Sequence, residues 1–258
     1  MNRRNISITF ALISLGITLT AAAHSLSDTL NPLIPATGSI KLCDKESRCE
    51  SIRPNADLEK AIDDGYDNLT IVDLYNDGNQ KVAATSPGEC TRFFSLDFTT
   101  KKFSDVYFEG NGRDVCNYKI DGNRLISSYK FDSKQYEDVY ELKNGAYRLI
   151  LSDECIGCDQ IARSVYTNGR VTEKLLVTNQ RDYARRRPAT SSVATKKAWL
   201  YAKPSNAART QSYLSEGDAV ELIEFYDADE LWFLARHLSD KIKGSPKWIR
   251  CADLLICK

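Results

Sequence analysis

Eight cysteines carry the most reactive chemistry in this chain: Cys43, Cys49, Cys90, Cys116, Cys155, Cys158, Cys251 and Cys257. Their order suggests four local pairs, 43–49, 90–116, 155–158 and 251–257, although an even set of this size permits many connectivities. Two other uses of thiols compete with structural bridges. Cys155-Ile-Gly-Cys158 has the spacing of a redox pair, which needs a βαβ setting, but its neighbours read as strands and turns. A metal site would need further soft donors. The only imidazoles are His24 and His237, and no second Cys-x-x-Cys lies nearby. Structural bridges are the favoured reading.

Catalysis needs a nucleophile with its base, a carboxylate pair or a metal. Before residue 180 the only histidine is His24, so Ser–His chemistry there would require His237 to reach across. Carboxylates are numerous, and a glycosidase-like pair stays open. Asp64, Asp67, Asp73 and Asp77, however, sit where turns need side-chain acceptors. The expected function is therefore binding without catalysis, and no cofactor or metal is implied.

Those cysteines imply an oxidising compartment, and the N-terminus agrees. Arg3 and Arg4 precede an apolar stretch from Ile6 to Leu19, and Ala21-Ala22-Ala23 supplies small residues for a peptidase. Residues 1–23 read as a secretory signal peptide, with the mature chain starting at His24 in the periplasm. The stretch is short for a span, and no other segment is apolar enough, so stable membrane insertion is not expected.

The whole chain is formally neutral, with its charge unevenly spread. Residues 24–180 carry a net of −6, residues 181–195 a net of +3 and residues 196–258 a net of +1. That is no footprint for nucleic acid. The 181–196 segment, with Arg185-Arg186-Arg187, Pro188 and a Ser/Thr-rich tail, shows no apolar periodicity and reads as a polar linker. It separates a domain at 24–180 from a small one at 197–258, and the two halves should behave as separate units.

The first domain reads as short strands near 40–42, 69–74, 81–85, 92–98, 102–107, 117–120, 124–130, 135–142, 146–151, 162–167 and 172–177. Asn76-Asp77-Gly78, Asn111-Gly112, Asp121-Gly122, Asn144-Gly145 and Asn168-Gly169 punctuate them as turns. Aromatics alternate with polar residues in Tyr136-Glu-Asp-Val-Tyr140, which leaves one sheet face wet. A single helix is expected over 56–62, with Asn55 as N-cap.

The turn Asp73-Leu-Tyr-Asn-Asp-Gly78 is similar to the Asp-rich loop of FG-GAP and integrin-type propeller repeats. The order around it adds Arg92-Phe-Phe-Ser-Leu-Asp-Phe-Thr-Thr-Lys-Lys-Phe103, Asn123-Arg-Leu-Ile-Ser-Ser-Tyr129 and Asn144-Gly-Ala-Tyr-Arg-Leu149. Over residues 66–150 this resembles a propeller-like bacterial family that includes periplasmic immunity proteins against lysozyme-like effectors. The chain departs from a calcium loop, because Tyr75 and Lys81 stand at positions that want oxygen ligands, so the loop is expected to hold no metal.

Residues 197–258 resemble a bacterial SH3 domain through Ala198-Trp-Leu-Tyr-Ala-Lys-Pro204, Tyr213-Leu-Ser-Glu-Gly-Asp-Ala-Val-Glu-Leu222, Trp232-Phe-Leu-Ala-Arg236, Lys247-Trp-Ile249 and Asp253-Leu254. The expected fold is all-β, a propeller-like multi-stranded β domain followed by a small SH3-like β-barrel. The resemblance implies an aromatic groove at Tyr201, Tyr226, Trp232 and Trp248. Tyr201 and Tyr226 are expected at the surface, and Trp232 and Trp248 are expected in the core rather than as exposed groove contacts. Together the resemblances imply an immunity or inhibitor protein that blocks a secreted cell-wall-degrading toxin, with Tyr75, Asn111, Arg113 and Asp114 on the inserting turns. The alternative is a cell-wall-binding envelope protein acting through its SH3-like part. The partner is then a peptidoglycan hydrolase or a cell-wall peptide.

Overall fold

The computed structural model describes residues 38–110, 114–156, 160–238 and 245–258. The expected signal peptide lies outside them. Among the described residues the fold is all-β with one short α-helix, and the strands form separate antiparallel sheets, none of which closes into a propeller or a barrel.

The first unit begins with a hairpin of β1 (Ile40–Cys43) and β2 (Cys49–Ile52), pinned by Cys43–Cys49. Helix α1 (Ala56–Asp63) follows, burying Leu58 and Ala61. Asn55 occupies its N-cap position, but its side chain does not cap. Its Nδ2 donates instead to the Phe103 carbonyl at 3.0 Å and ties the helix to the sheet beside it. That sheet runs β3 (Asn68–Val72), β4 (Lys81–Thr85), β5 (Cys90–Asp97) and β6 (Lys102–Asp105), with β7 (Asp114–Cys116) also paired to β5. Cys90 and Cys116 stand opposite each other in register and are bridged.

Both faces of this sheet are covered, which explains its near-continuous apolar runs. Val82, Ala84, Phe94 and Leu96 pack against α1 and the hairpin. Ala83 and Phe93, one residue out of step, pack the other way with Val106, Phe108, Val115, Leu125, Tyr140 and Tyr147. That second core joins the sheet to the next one, and the Tyr147 hydroxyl crosses it to donate to the Leu74 carbonyl at 2.8 Å.

The next sheet is a six-stranded meander of β8 (Lys119–Asp121), β9 (Arg124–Phe131), β10 (Lys134–Lys143), β11 (Ala146–Ile156), β12 (Gln160–Thr167) and β13 (Arg170–Thr178), adjacent in chain order. Its hairpins use the turns the sequence signals. Asn144-Gly145 and Asn168-Gly169 each take positive φ at both residues, the two-residue turn whose twist matches the strands.

The last sheet has the order β14-β17-β18-β19-β15-β16, from β14 (Thr190–Ser192), β15 (Lys197–Tyr201), β16 (Arg209–Ser215), β17 (Ala219–Asp227), β18 (Leu231–His237) and β19 (Lys247–Arg250). Cys251–Cys257 fastens the final turns. Its core holds Ala198, Leu214, Val220, Leu222, Phe233, Ile249 and Leu254, and also Leu176 from β13.

The segment read as a linker is built structure instead. It forms a 3-10 turn (Tyr183–Arg185) and the strand β14 on β17, with Tyr183, Ala189 and Val193 buried. The Ala189 N–H donates to Leu176 and its carbonyl accepts from Leu222, so one residue bridges the meander and the last sheet. Three scattered apolar residues make no period, so nothing local announces this strap.

Candidate functional site

The two faces of the meander are set by the pleat, since direct cross-strand partners point the same way. One register row runs Ser127, Asp138, Ser152, Ser164, Lys174 across five strands. The next row on that face runs Tyr129, Tyr136, Glu154, Ala162, Leu176. Above these rows lies a cleft of about 920 Å³, closed on one side by Ile223, Glu224 and Phe225 of β17.

Of these rows Tyr136, Ser152, Glu154, Ala162, Ser164, Lys174 and Leu176 line the cleft, and Ser127, Tyr129 and Asp138 of the same face lie outside its lining. Tyr129 and Tyr136 stack nearly parallel, at 13° with centroids 5.3 Å apart. The Tyr129 hydroxyl donates to Asp138 Oδ2 at 3.1 Å and the Tyr140 hydroxyl to the same oxygen at 3.4 Å. Asp138 is only 3% exposed, and its Oδ1 has no hydrogen-bond partner among the described residues. Burial pushes the Asp138 carboxyl above the usual carboxylate range, while the nearby hydroxyls of Ser152, Tyr129 and Tyr140 pull the other way. Burial and the Asp138 charge push both the Tyr129 and the Tyr166 phenols up, so these rings stay protonated donors. Lys134 is ion-paired to Glu154 at the rim, and Lys174 ends the polar row as an exposed ammonium.

The reverse face is closed by charge. Arg163 meets Asp153 with two parallel hydrogen bonds, at 2.7 and 2.6 Å, and donates to the Tyr183 carbonyl at 2.9 Å. Arg186 pairs with Asp153 and, at 2.9 Å, with Glu137. Burial raises the Glu137 carboxyl, against the pull of Arg186. Arg186 was read as part of a solvated linker run. It is instead the buried bolt that fastens the strap to the meander.

The expected groove aromatics divide. Tyr226 is exposed and faces the half-buried Trp248 edge to face at 6.4 Å. Tyr201, expected at the surface, is buried, its ring edge-on against the equally buried Trp232 at 4.8 Å. A second aromatic group, Trp199 and Tyr213 with the Lys197 ammonium 4.1 Å from both rings, lies on β15 and β16 and was not singled out from sequence.

The expected inserting turns fare differently. Asn111 and Arg113 lie outside the described residues. Asp114 belongs to β7, where it accepts from Arg92 at 2.8 Å and from the Tyr66 hydroxyl at 3.0 Å. Tyr75 leans on Tyr147, with the Lys81 ammonium 5.1 Å from its ring. In the same loop both Asp73 oxygens accept backbone N–H groups, from Asp77 at 3.1 Å and Gly78 at 2.9 Å. Among the described residues no group of three or more His, Cys, Asp or Glu side chains converges as a metal site.

Three of the four expected disulfides are present. Cys155, at the edge of the cleft, has no disulfide partner among the described residues, and Cys158, its expected partner, lies outside them. Cys155 stands within β11 opposite Ile161, in a regular extended ladder.

The cleft residues Tyr136, Ser152, Ser164, Tyr166 and Lys174, and Tyr129 and Asp138 beside them, were not singled out from sequence. The visible signal was the alternation through 136–140, which marked a wet sheet face but not which rows of other strands share it.

Fold and site together define a class: a disulfide-stapled all-β protein with a polar, tyrosine-floored cleft beside a smaller sheet. Three disulfides fit an exported protein, and no described helix is long and apolar enough to cross a membrane. No protein-family model matches the chain, and no curated protein matches it. Among solved structures, a Xanthomonas type IV secretion system related protein is similar at 20% identity with a TM-score of 0.32. The overlap covers 40% of this chain and 56% of that one, so the chain spans about half its length.

Proposed function

We propose that this chain is a non-catalytic binding protein of the bacterial envelope that holds cell-wall material in the cleft over the meander. One observation supports the reading above others. A cleft of about 920 Å³ is lined by Ser152, Ser164 and Lys174 of one register row and by Tyr136 and Tyr166, and such a concave site with a few convergent polar groups is the usual form of a binding pocket. The test is co-sedimentation with purified cell wall. Wild-type protein should pellet with it, Tyr136→Ala should lose most of that retention, and Tyr107→Ala should keep it. Wild-type protein left wholly in the supernatant would overturn the reading.

A second reading has its own support. A groove lined by Tyr75, Asp105, Tyr107, Glu109, Tyr147 and Arg148 displays Tyr107 at 64% exposed, a large ring without cover. On this reading the chain inhibits a secreted cell-wall hydrolase by presenting that ring. Residual activity of a lysozyme-type hydrolase incubated with the protein decides it. Inhibition lost with Tyr107→Ala and kept with Tyr136→Ala would favour the inhibitor.

A further inference from the structure

We propose that the open edge of β16, with the cation-flanked aromatic pair beside it, receives an extended acidic segment of a partner protein as an added strand, a contact separate from the cleft.

β16 ends the order of the last sheet and pairs only with β15 among the described strands. Two sets of contacts fix which way its backbone points. The Ser215 N–H donates to Asp218 Oδ2 at 2.8 Å, and the Ser215 carbonyl accepts from the Asp218 N–H at 3.0 Å, so both groups face the turn and not β15. On β15 the Leu200 carbonyl accepts from Thr210 Oγ1 at 2.8 Å and so faces β16. Backbone direction alternates along a strand. Trp199 therefore turns its N–H and C=O away from β16, and its register partner Tyr213 turns its own outward past the sheet edge.

Such an edge is a template for another strand unless charge, proline or a bulge blunts it. Residues 210–215 carry no charge and no proline. The register shift between Trp199 and Tyr201 confines the unbroken ladder to Tyr213–Ser215. Backbone bonding over so short a stretch is weak, and side chains must supply the rest of the affinity and all of the selectivity.

Those side chains favour an acidic strand. Ala198 and Leu214 point into the core, so Lys197, Trp199 and Tyr213 share the outer face of the hairpin. Trp199 and Tyr213 meet edge to face at 5.7 Å, and Tyr213 is 49% exposed. Lys197 Nζ lies 4.1 Å from both ring centroids, and the Arg209 guanidinium lies 4.7 Å from that of Trp199. Neither cation is ion-paired among the described residues. From 196 to 215 the chain carries Lys196, Lys197, Lys203 and Arg209, all exposed, and no Asp or Glu. The nearest acids in sequence and structure are placed elsewhere: Glu216 lies beyond the ladder, Asp218 is engaged by Ser215, and Glu230 accepts from Asn206 at 2.9 Å. Exposed tryptophan, tyrosine and arginine are the side chains that anchor protein interfaces. An added strand bearing carboxylates at every second residue sets them all on this outer face, where they meet complementary charge.

Fluorescence anisotropy with labelled decapeptides tests the proposal. The probes alternate Glu with Val or Lys with Val, and two further Glu–Val peptides are N-methylated either at every Glu or at every Val. The Glu–Val peptide should bind and the Lys–Val peptide should not. A Glu opposite Tyr213 turns its N–H to β16, whereas the intervening Val turns its own to solvent. Methylation at Glu should therefore weaken binding about tenfold or more, and methylation at Val should leave it nearly unchanged. The double variant Lys197→Ala, Arg209→Ala should also weaken the Glu–Val peptide about tenfold with its melting temperature kept, and Tyr136→Ala in the cleft should have no effect. Equal response to the two methylated peptides would overturn the added strand. Inorganic polyphosphate binding as tightly as the Glu–Val peptide would show that charge alone is recognised, and would overturn the proposal too. Sedimentation of the protein alone as a dimer, lost in the double variant, would make a second copy the occupant and overturn it likewise.

Discussion

Asp138 shows how one residue can be costly and useful together. Its carboxyl is buried among tyrosine hydroxyls and lies above its ordinary value of 3.8. A carboxyl raised on folding contributes most below its unfolded pKa, and that contribution is lost as pH rises through the folded pKa. Asparagine cannot ionise. The melting temperature of wild type minus that of Asp138→Asn should therefore fall as pH is raised from about 3 to about 7. A difference that stays flat or rises would show that the carboxyl is not the strained group. Cys155 makes a second residue-level prediction. Alkylation of the denatured, unreduced protein should label Cys155 and spare Cys43, Cys49, Cys90, Cys116, Cys251 and Cys257. Mass spectrometry of the digest reads this directly, and an unlabelled Cys155 would restore the fourth bridge.

At the scale of elements, the strap over 181–189 is held more by ions than by apolar surface. Arg186 pairs with both Asp153 and Glu137 in a nearly dry site, and its Nε donates to the Gln180 carbonyl at 2.8 Å. Removing one partner of a buried ion pair leaves charge without compensation, which costs about 3 kcal/mol or more. Arg186→Ala should destabilise by about that much, and hydrogen exchange should rise first at the Ala189 N–H that joins the strap to β13. Arg185→Ala is the control, because that side chain is 81% exposed and its pairing with Asp182 contributes little. If both variants behave alike, the bolt is decorative. The same strap explains a sequence reading that did not survive. Arg185-Arg186-Arg187 looks uniformly polar, and only the position of Asp153 and Glu137 on a distant face picks out the middle residue for burial.

For the whole molecule, the main consequence of the strap is that the two halves share a core. Leu176 of β13 is 1% exposed and packs among Ala198, Val220, Leu222 and Phe233 of the last sheet. Leu176→Ala should cost about 2–5 kcal/mol, and calorimetry should show one transition moving as a unit. Two transitions, with only the earlier one moved, would show independent halves joined by a passive connection.

Much of the architecture was legible in the chain itself. Short apolar runs divided by Asx-Gly pairs determined an all-β protein, because turn preference and side-chain alternation are properties of a few adjacent residues. Asn144-Gly145 and Asn168-Gly169 became the tight turns they signal, and Cys43–Cys49, Cys90–Cys116 and Cys251–Cys257 joined as their order suggested. What the tertiary structure alone decided is which faces meet. Packing against Trp232, distant along the chain, buried Tyr201, which sequence had placed at the surface. The register of five strands put Asp138 between Ser127 and Ser152 and set Tyr129 against Tyr136. Register is a relation between residues distant along the chain, and a shift of one would carry every one of these side chains to the opposite face.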